Sequence, residues 1–161
     1  MSTIIENATG AGGYDKRLHI KGASEMVLAC CNTYMNEQGQ VVPLDDNTTA
    51  QVKTIIDTYA KNALRTIALA YRDLQPGEHG ENHDEPHIDD ESKVKHCEAS
   101  NLTLIGILGI FDVIRSEVPD AVTVCHKAGI MVRMITGDNL VTAQAIAEKC
   151  RIIKQEEIGD P

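Results

Sequence analysis

One stretch, residues 127–150, restricts the fold more than any other. An apolar run at 130–135 stops at Thr136, Gly137, Asp138 and Asn139, then resumes at helical spacing through Leu140, Ala143, Ala147 and Cys150. That change of period predicts a strand, a tight turn and an amphipathic helix capped by Asn139. Such a turn suits phosphate and metal chemistry. Amides at a helix's positive end favour anions, and a carboxylate such as Asp138 can hold a cation. The same residues are also common turn formers, so a plain connection satisfies the pattern too.

The preceding residues extend the motif. An apolar strand is expected over 101–112 and a helix over 116–128, with Pro119 in its first turn and Gly129 as its C-cap. Val118, Ala121, Val122 and Cys125 would form the inner face of that helix. Strand, helix, strand, helix across 101–150 predicts a parallel βαβ unit with a right-handed crossover. Ligands of such sheets sit at the carboxyl ends of the strands, where Asp112 and the turn at 136–139 would lie.

The first hundred residues follow another plan. Strands at 1–6 and 17–21 suggest a hairpin across a glycine-rich turn. A helix is expected over 25–34, with Met26, Ala29 and Cys30 on one face and Cys30 and Cys31 both within it. An edge segment at 41–44 precedes a helix to about 62, capped by Asp46 or Asn47 and burying Val52, Ile55, Ile56 and Tyr59. A buried strand follows at 66–71. The fold class is therefore α/β: an α+β part over 1–108, then a partial parallel unit over 109–161.

Residues 73–98 differ in composition. They hold nine acidic residues and two lysines, hence −7 of the chain's net −9, with four histidines and two prolines. This reads as a solvated insertion loop. His79, His83 and His87 recur every fourth residue, as metal ligands on a helix would, but Pro76, Gly77, Gly80 and Pro86 oppose a helix there. An acidic metal-binding protein is the reading that would rest on this loop.

The charge of −9 argues against nucleic-acid and anionic-membrane partners, which want basic patches. With one Phe and no Trp, the core must rest on Ile, Leu, Val and Ala. Five cysteines without a Cys-x-x-Cys pair fit buried thiols better than a disulfide framework or a zinc site of that kind. The longest apolar run, 102–111, is broken by Thr103, Gly106 and Gly109 and falls short of the roughly 20 residues a membrane helix needs.

Three more groups could carry chemistry. Lys21, at the end of a strand and followed by Gly22 and Ala23, can put an ammonium into a cleft while the glycine lets the chain turn. Arg65, at the mouth of a buried strand, can make bidentate contacts to phosphate or pair with Asp57 or Glu25. Asp112 and Arg115 flank a strand end and a helix start.

Taken together, the string KGASE at 21–25, Leu64-Arg65, the segment around Asp112 and Arg115, and GIMVRMITGDN at 129–139 resemble the cytoplasmic core of P-type cation pumps. Arg133, and Ser24 where many pumps carry proline, favour the plasma-membrane calcium ATPase branch. The resemblance covers 1 to about 152. It implies the later part of a nucleotide-binding domain, with ATP and Mg²⁺ as ligands, followed by part of a haloacid-dehalogenase-like phosphorylation domain. Lys21, Gly22, Arg65, Ile67 and Arg115 would serve the nucleotide. Thr136, Gly137 and Asp138 would align its γ-phosphate and, indirectly, Mg²⁺, with Asp112 at the inter-domain hinge. Val113 stands where the family usually has proline, which weakens the stiffness expected of that hinge.

The pump's Asp-Lys-Thr-Gly-Thr segment is not in this chain, nor are its membrane helices or the stacking Phe expected upstream of Met1. The resemblance thus implies a fragment on the cytoplasmic face of a membrane, partnered by the rest of the pump and inactive alone. A regulatory nucleotide-binding module is the alternative.

Overall fold

The computed structural model describes residues 1–7, 13–75, 96–111 and 113–154. Asp112, His79, His83 and His87 lie outside them. The chain divides into two compact units, Met1–Lys53 with Ile67–Leu108, and Thr54–Thr66 with Gly109–Pro161. Six strands, β1 (Ser2–Glu6), β2 (Lys16–Ala23), β3 (Cys31–Met35), β4 (Val41–Pro43), β5 (Leu64–Leu74) and β6 (Leu102–Phe111), form one sheet in the order β1-β2-β5-β6-β3-β4. The helices are α1 (Ser24–Ala29), α2 (Asp46–Lys61), α3 (Val118–Lys127) and α4 (Leu140–Lys149), with a short 3₁₀ turn at His96–Glu98. None of the described helices is long and apolar enough to cross a membrane.

The first unit rests on antiparallel pairing of β1 with β2 and of β2 with β5. Alternation along β2 sends Leu18 and Ile20 to one face, where Leu18, Leu74 and Cys97 form a core joined by Ile4 and Ile20. The expected hairpin is present. Of the acidic loop expected over 73–98, Asp73 and Leu74 complete β5 and Cys97 is buried, while 76–95 lie outside the described residues.

The helix expected over 25–34 is corrected. α1 ends at Ala29, and Cys31–Met35 instead pairs in parallel with β6 and antiparallel with β4. Pairing with residues some seventy positions away outweighs the local helical pattern. It makes Cys30 the C-cap of α1 and Cys31 the first residue of β3, and leaves Met26 71% exposed, while Ser24, Val27 and Leu28 supply the buried face. Burial, together with the neighbouring Cys30, pushes the Cys31 thiol up to about 12. Gly22 is also reassigned: it lies inside β2 rather than at a turn, and a Cβ there would come within 3.2 Å of Val27 Cγ2.

In the second unit the end of α2 buries Ile56 and Ala60, whereas Ile55 is 46% exposed. The start of α2 is capped by Asp45, not Asp46 or Asn47: its carboxylate accepts from the Thr48 amide at 2.7 Å. α3 carries Pro in its first turn, and Gly129 at φ 73° ends it, with the Ile130 amide donating to the Cys125 carbonyl at 2.9 Å. Only Val122 of its expected inner face is fully buried. On α4, Thr142 and Ala147 are buried, as is Cys150 just past its end, and Leu140 is 72% exposed.

The strand expected at 130–135 is absent. The segment is irregular, and Ile135 is almost wholly exposed. Strand propensity is realised only against a neighbouring ladder, and the described residues pair no strand with this run. The parallel βαβ unit over 101–150 is therefore reduced to β6, α3 and α4.

Three outcomes test this packing. Leu18→Ala, at 1% exposure, should lower unfolding stability in urea by about 2–5 kcal/mol. The Ser24 hydroxyl is fully buried and has no partner among the described residues. Ser24→Ala should therefore leave the protein equally or more stable in the same titration. Folded Cys31 holds its proton beyond the ordinary thiol value of 9.0, whereas the unfolded chain releases it there. Its contribution to stability should be complete below pH 9 and fall as pH rises toward 12, and Cys31 should resist iodoacetamide at pH 9 until denaturant is added.

Candidate functional site

The first unit places Lys21 on an organised surface. Antiparallel register sets Thr3, His19 and Tyr71 in one cross-strand row and Lys21 opposite Leu69 in the next row on the same face. The Met1 and Lys21 backbones exchange two hydrogen bonds of 3.0 Å. These rows border a cleft of about 270 Å³ lined by Met1, Thr3, His19, Lys21, Leu69 and Ile105, among others. Its walls are mainly apolar, and Lys21, itself exposed, is its ammonium. Ile67 follows on the same face, opposite Ala23.

A larger cleft, about 470 Å³, shares Met1, Ile20 and Lys21 with the first and adds Ser2, Gly22 and Glu98, among others, to its wall. The Ser2 hydroxyl donates to the Glu98 carboxylate there. A carboxylate in the wall disfavours an anionic ligand, so the smaller cleft is the better phosphate-ester candidate despite its size.

The second unit brings together two expected residues. Arg65 Nε lies 2.8 Å from Asp138 Oδ1, with the Asp138 side chain 17% exposed and that of Arg65 56%. Asp138 is thus the partner of Arg65, not Asp57 or Glu25. The turn is built locally. The Asp138 amide donates to Thr136 Oγ1 at 3.1 Å, and Asn139 caps α4 by accepting from the Thr142 amide at 3.1 Å. Thr142 Oγ1 in turn donates to the Leu64 carbonyl at 3.4 Å, tying the helix start to the residue before Arg65. Gly137 is exposed, with nothing near where a Cβ would stand. The turn opens α4 as expected, but no strand feeds it. Arg115 is exposed just before α3, its carbonyl accepting from the Val118 amide.

Lys21, Gly22 and Ile67 belong to the first unit; Arg65, Arg115, Thr136, Gly137 and Asp138 belong to the second. Two contributors escaped the sequence reading. His19 carries a signal that was available, its spacing of two from Lys21 on one strand. Thr142 carries none, because its partner carbonyl is 78 residues away. Among the described residues no cluster of three or more His, Cys, Asp or Glu is placed to hold a metal.

Residues 1–117 match the family described as P-type ATPase, cytoplasmic domain N. The chain belongs to this family. It is 44% identical over 159 residues to the plasma membrane-type calcium-transporting ATPase 3 of Oryza sativa subsp. japonica, covering 99% of the chain and 14% of that relative. It is 46% identical over 139 residues to the calcium-transporting ATPase PAT1 of Dictyostelium discoideum, covering 86% and 11%. With human plasma membrane calcium-transporting ATPase 4 the identity is 43% over 154 residues, covering 95% and 11%. The chain therefore spans only 11–14% of the length of these relatives.

The cap and the ion pair make separable contributions to stability. Asn139→Ala should destabilise the protein by about 1 kcal/mol. Because Arg65 is more than half exposed, a double-mutant cycle of Arg65→Ala and Asp138→Ala should give a coupling below about 1 kcal/mol, shrinking with added salt. Urea titrations at low and high ionic strength measure both.

Proposed function

We propose that this chain is a nucleotide-binding portion of a P-type calcium-transporting ATPase, residues 1–108 belonging to its nucleotide domain and 109–161 to a haloacid-dehalogenase-like phosphorylation domain. The observation that carries the reading is Lys21 on the rim of a mainly apolar cleft, within a stretch that matches the family's cytoplasmic domain N. The named relatives are calcium-transporting, and calcium is the ion proposed for the whole protein.

The residues present fit ATP and Mg²⁺. A cleft of about 270 Å³ is near the small end of ligand pockets, suited to a base or nucleoside rather than a whole nucleotide. Lys21 supplies positive charge beside it. In the other unit, Arg65 offers a guanidinium suited to phosphate oxygens. Asp138 offers a carboxylate for a hydrated magnesium ion, and Thr136 and Gly137 hold that carboxylate on the turn. Magnesium, when bound, neutralises charge on the transferring phosphate. The chain's own residues would position the nucleotide, and the aspartate that accepts the phosphoryl group would come from elsewhere in the whole protein. Arg115 and Asp112 are assigned to the junction of the two domains. The whole protein would use ATP hydrolysis to move Ca²⁺ across a membrane, with these residues on its cytoplasmic face.

Titration of the 161-residue chain with Mg-ATP, followed by NMR, tests this. Signals of Lys21, Thr3, Leu69 and Arg65 should shift with an affinity in about the millimolar range, a binding free energy near −4 kcal/mol. Lys21→Ala should weaken the response, and no phosphate should be released. Silence at Lys21 and Arg65, or steady ATP turnover by this chain, would overturn the assignment.

A further inference from the structure

We propose that Cys30 and Cys31 form a dithiol site for trivalent organoarsenicals, their sulfurs bridging one arsenic atom while its organic group occupies the larger cleft. The assignment is independent of the nucleotide reading above.

The end of α1 sets the geometry. Side chains on a regular strand alternate between faces, so consecutive cysteines there would point apart. Cys30 is instead the C-cap of α1, at φ −91° and ψ −4°, and its amide donates to the Val27 carbonyl at 3.1 Å. This helical conformation turns both thiols back along α1. The Cys30 thiol donates to the Met26 carbonyl at 3.4 Å, and the Cys31 thiol to the Val27 carbonyl at 3.1 Å. Those carbonyls are consecutive on one turn, with a rise of about 1.5 Å between them along the helix axis. On the other side, the Leu102 amide donates to the Cys30 carbonyl at 3.1 Å and anchors the backbone to β6. The fold thus holds two half-buried sulfurs side by side, within reach of a common atom.

Two sulfurs without a third ligand select the reagent. Zinc wants four ligands, and among the described residues no cluster of three or more His, Cys, Asp or Glu is placed to hold a metal. A soft cation also requires thiolates, whereas burial and the neighbouring Cys30 push Cys31 up to about 12. A trivalent organoarsenical needs neither. In water it is a neutral arsenic dihydroxide carrying one organic group. Cys30, in the cleft wall, attacks first: a sulfur–arsenic bond forms, an arsenic–oxygen bond breaks, and the thiol proton leaves with the hydroxide as water. Cys31 repeats the step and releases a second water. Arsenic stays trivalent, and no charge is created in the half-buried site.

The cleft of about 470 Å³ accounts for the organic group. Cys30 lines it together with the apolar Ile20, Met26, Val27 and Leu102. Glu98 in the same wall disfavours anions and leaves a neutral ligand unopposed. A phenyl group carried on the arsenic gains apolar burial there, which arsenite, with a hydroxyl in its place, does not.

The test adds phenylarsine oxide or sodium arsenite to the reduced 161-residue chain and reads the intact mass after excess mercaptoethanol, then after dimercaptopropanol. Wild type should keep one phenylarsenic group per chain in the monothiol and lose it to the dithiol. The adduct should protect Cys30 and Cys31 from alkylation in denaturant. Cys30→Ser and Cys31→Ser should each lose the monothiol-resistant adduct while folding normally, because a hydroxyl can donate to the same carbonyls. Phenylarsine oxide should bind about ten-fold or more tightly than arsenite, and Met26→Ser should narrow that ratio several-fold. No resistant adduct on wild type, an adduct mapped to Cys97, Cys125 or Cys150, or resistance surviving either serine substitution would overturn the site. An unchanged ratio in Met26→Ser would overturn the cleft's part in it. Cys30→Ala, which leaves Cys31 and β3 untouched, keeps the question decidable should Cys31→Ser fold poorly.

Discussion

The antiparallel register of β1, β2 and β5 is the constraint on which the first unit depends. Because side chains alternate with a period of two, a slip of one residue would move Leu18 to the surface and Lys21 to the core. The register is held on both faces. On the inner face, Leu18, Leu74 and Cys97 pack together with Ile4 and Ile20. On the outer face, Arg17 lies directly opposite Asp73 and is bonded to it twice. That hydrogen bonding raises the guanidinium's proton affinity further. The two faces demand the same alignment, so the cleft follows from the core.

Asp138 and Asn139 show how neighbouring polar residues divide their work. Asn139 turns its oxygen inward to the Thr142 amide and starts α4, satisfying one of the amides a helix start leaves over. With the cap supplied by Asn139, Asp138 is available to pair with Arg65. Thr136 secures the backbone between them through the Asp138 amide. A carboxylate needed for capping could not also serve a mobile charge. The adjacent amide side chain removes that conflict.

Much of this was legible in local pattern. The hairpin, α2, α3 and α4, the Asn139 cap and the left-handed Gly129 each follow from a few adjacent residues. What escaped was decided by distant partners. The segment 31–35 is helical by its neighbours and a strand by its pairing with β6. The run at 130–135 has a strand's composition, but none of the described residues forms a ladder with it. Gly22 looked like a turn residue and is a spacer, kept small by Val27 from the next helix. The partner of Arg65 was likewise hidden, since Asp138 lies 73 positions away.

The Arg65–Asp138 pair bears on how the second unit could meet a polyphosphate. Arg65 is more than half exposed, so water screens its attraction to Asp138, whose own side chain is 17% exposed. A weak pair is suited to exchange. Under the proposed function, a phosphate would take over the guanidinium and a hydrated cation the carboxylate. Had the pair been fully buried, breaking it would leave an uncompensated charge and cost several times more. Under the proposed function, the partial exposure of Arg65 would let the pair part once a ligand supplied each group with a stronger partner.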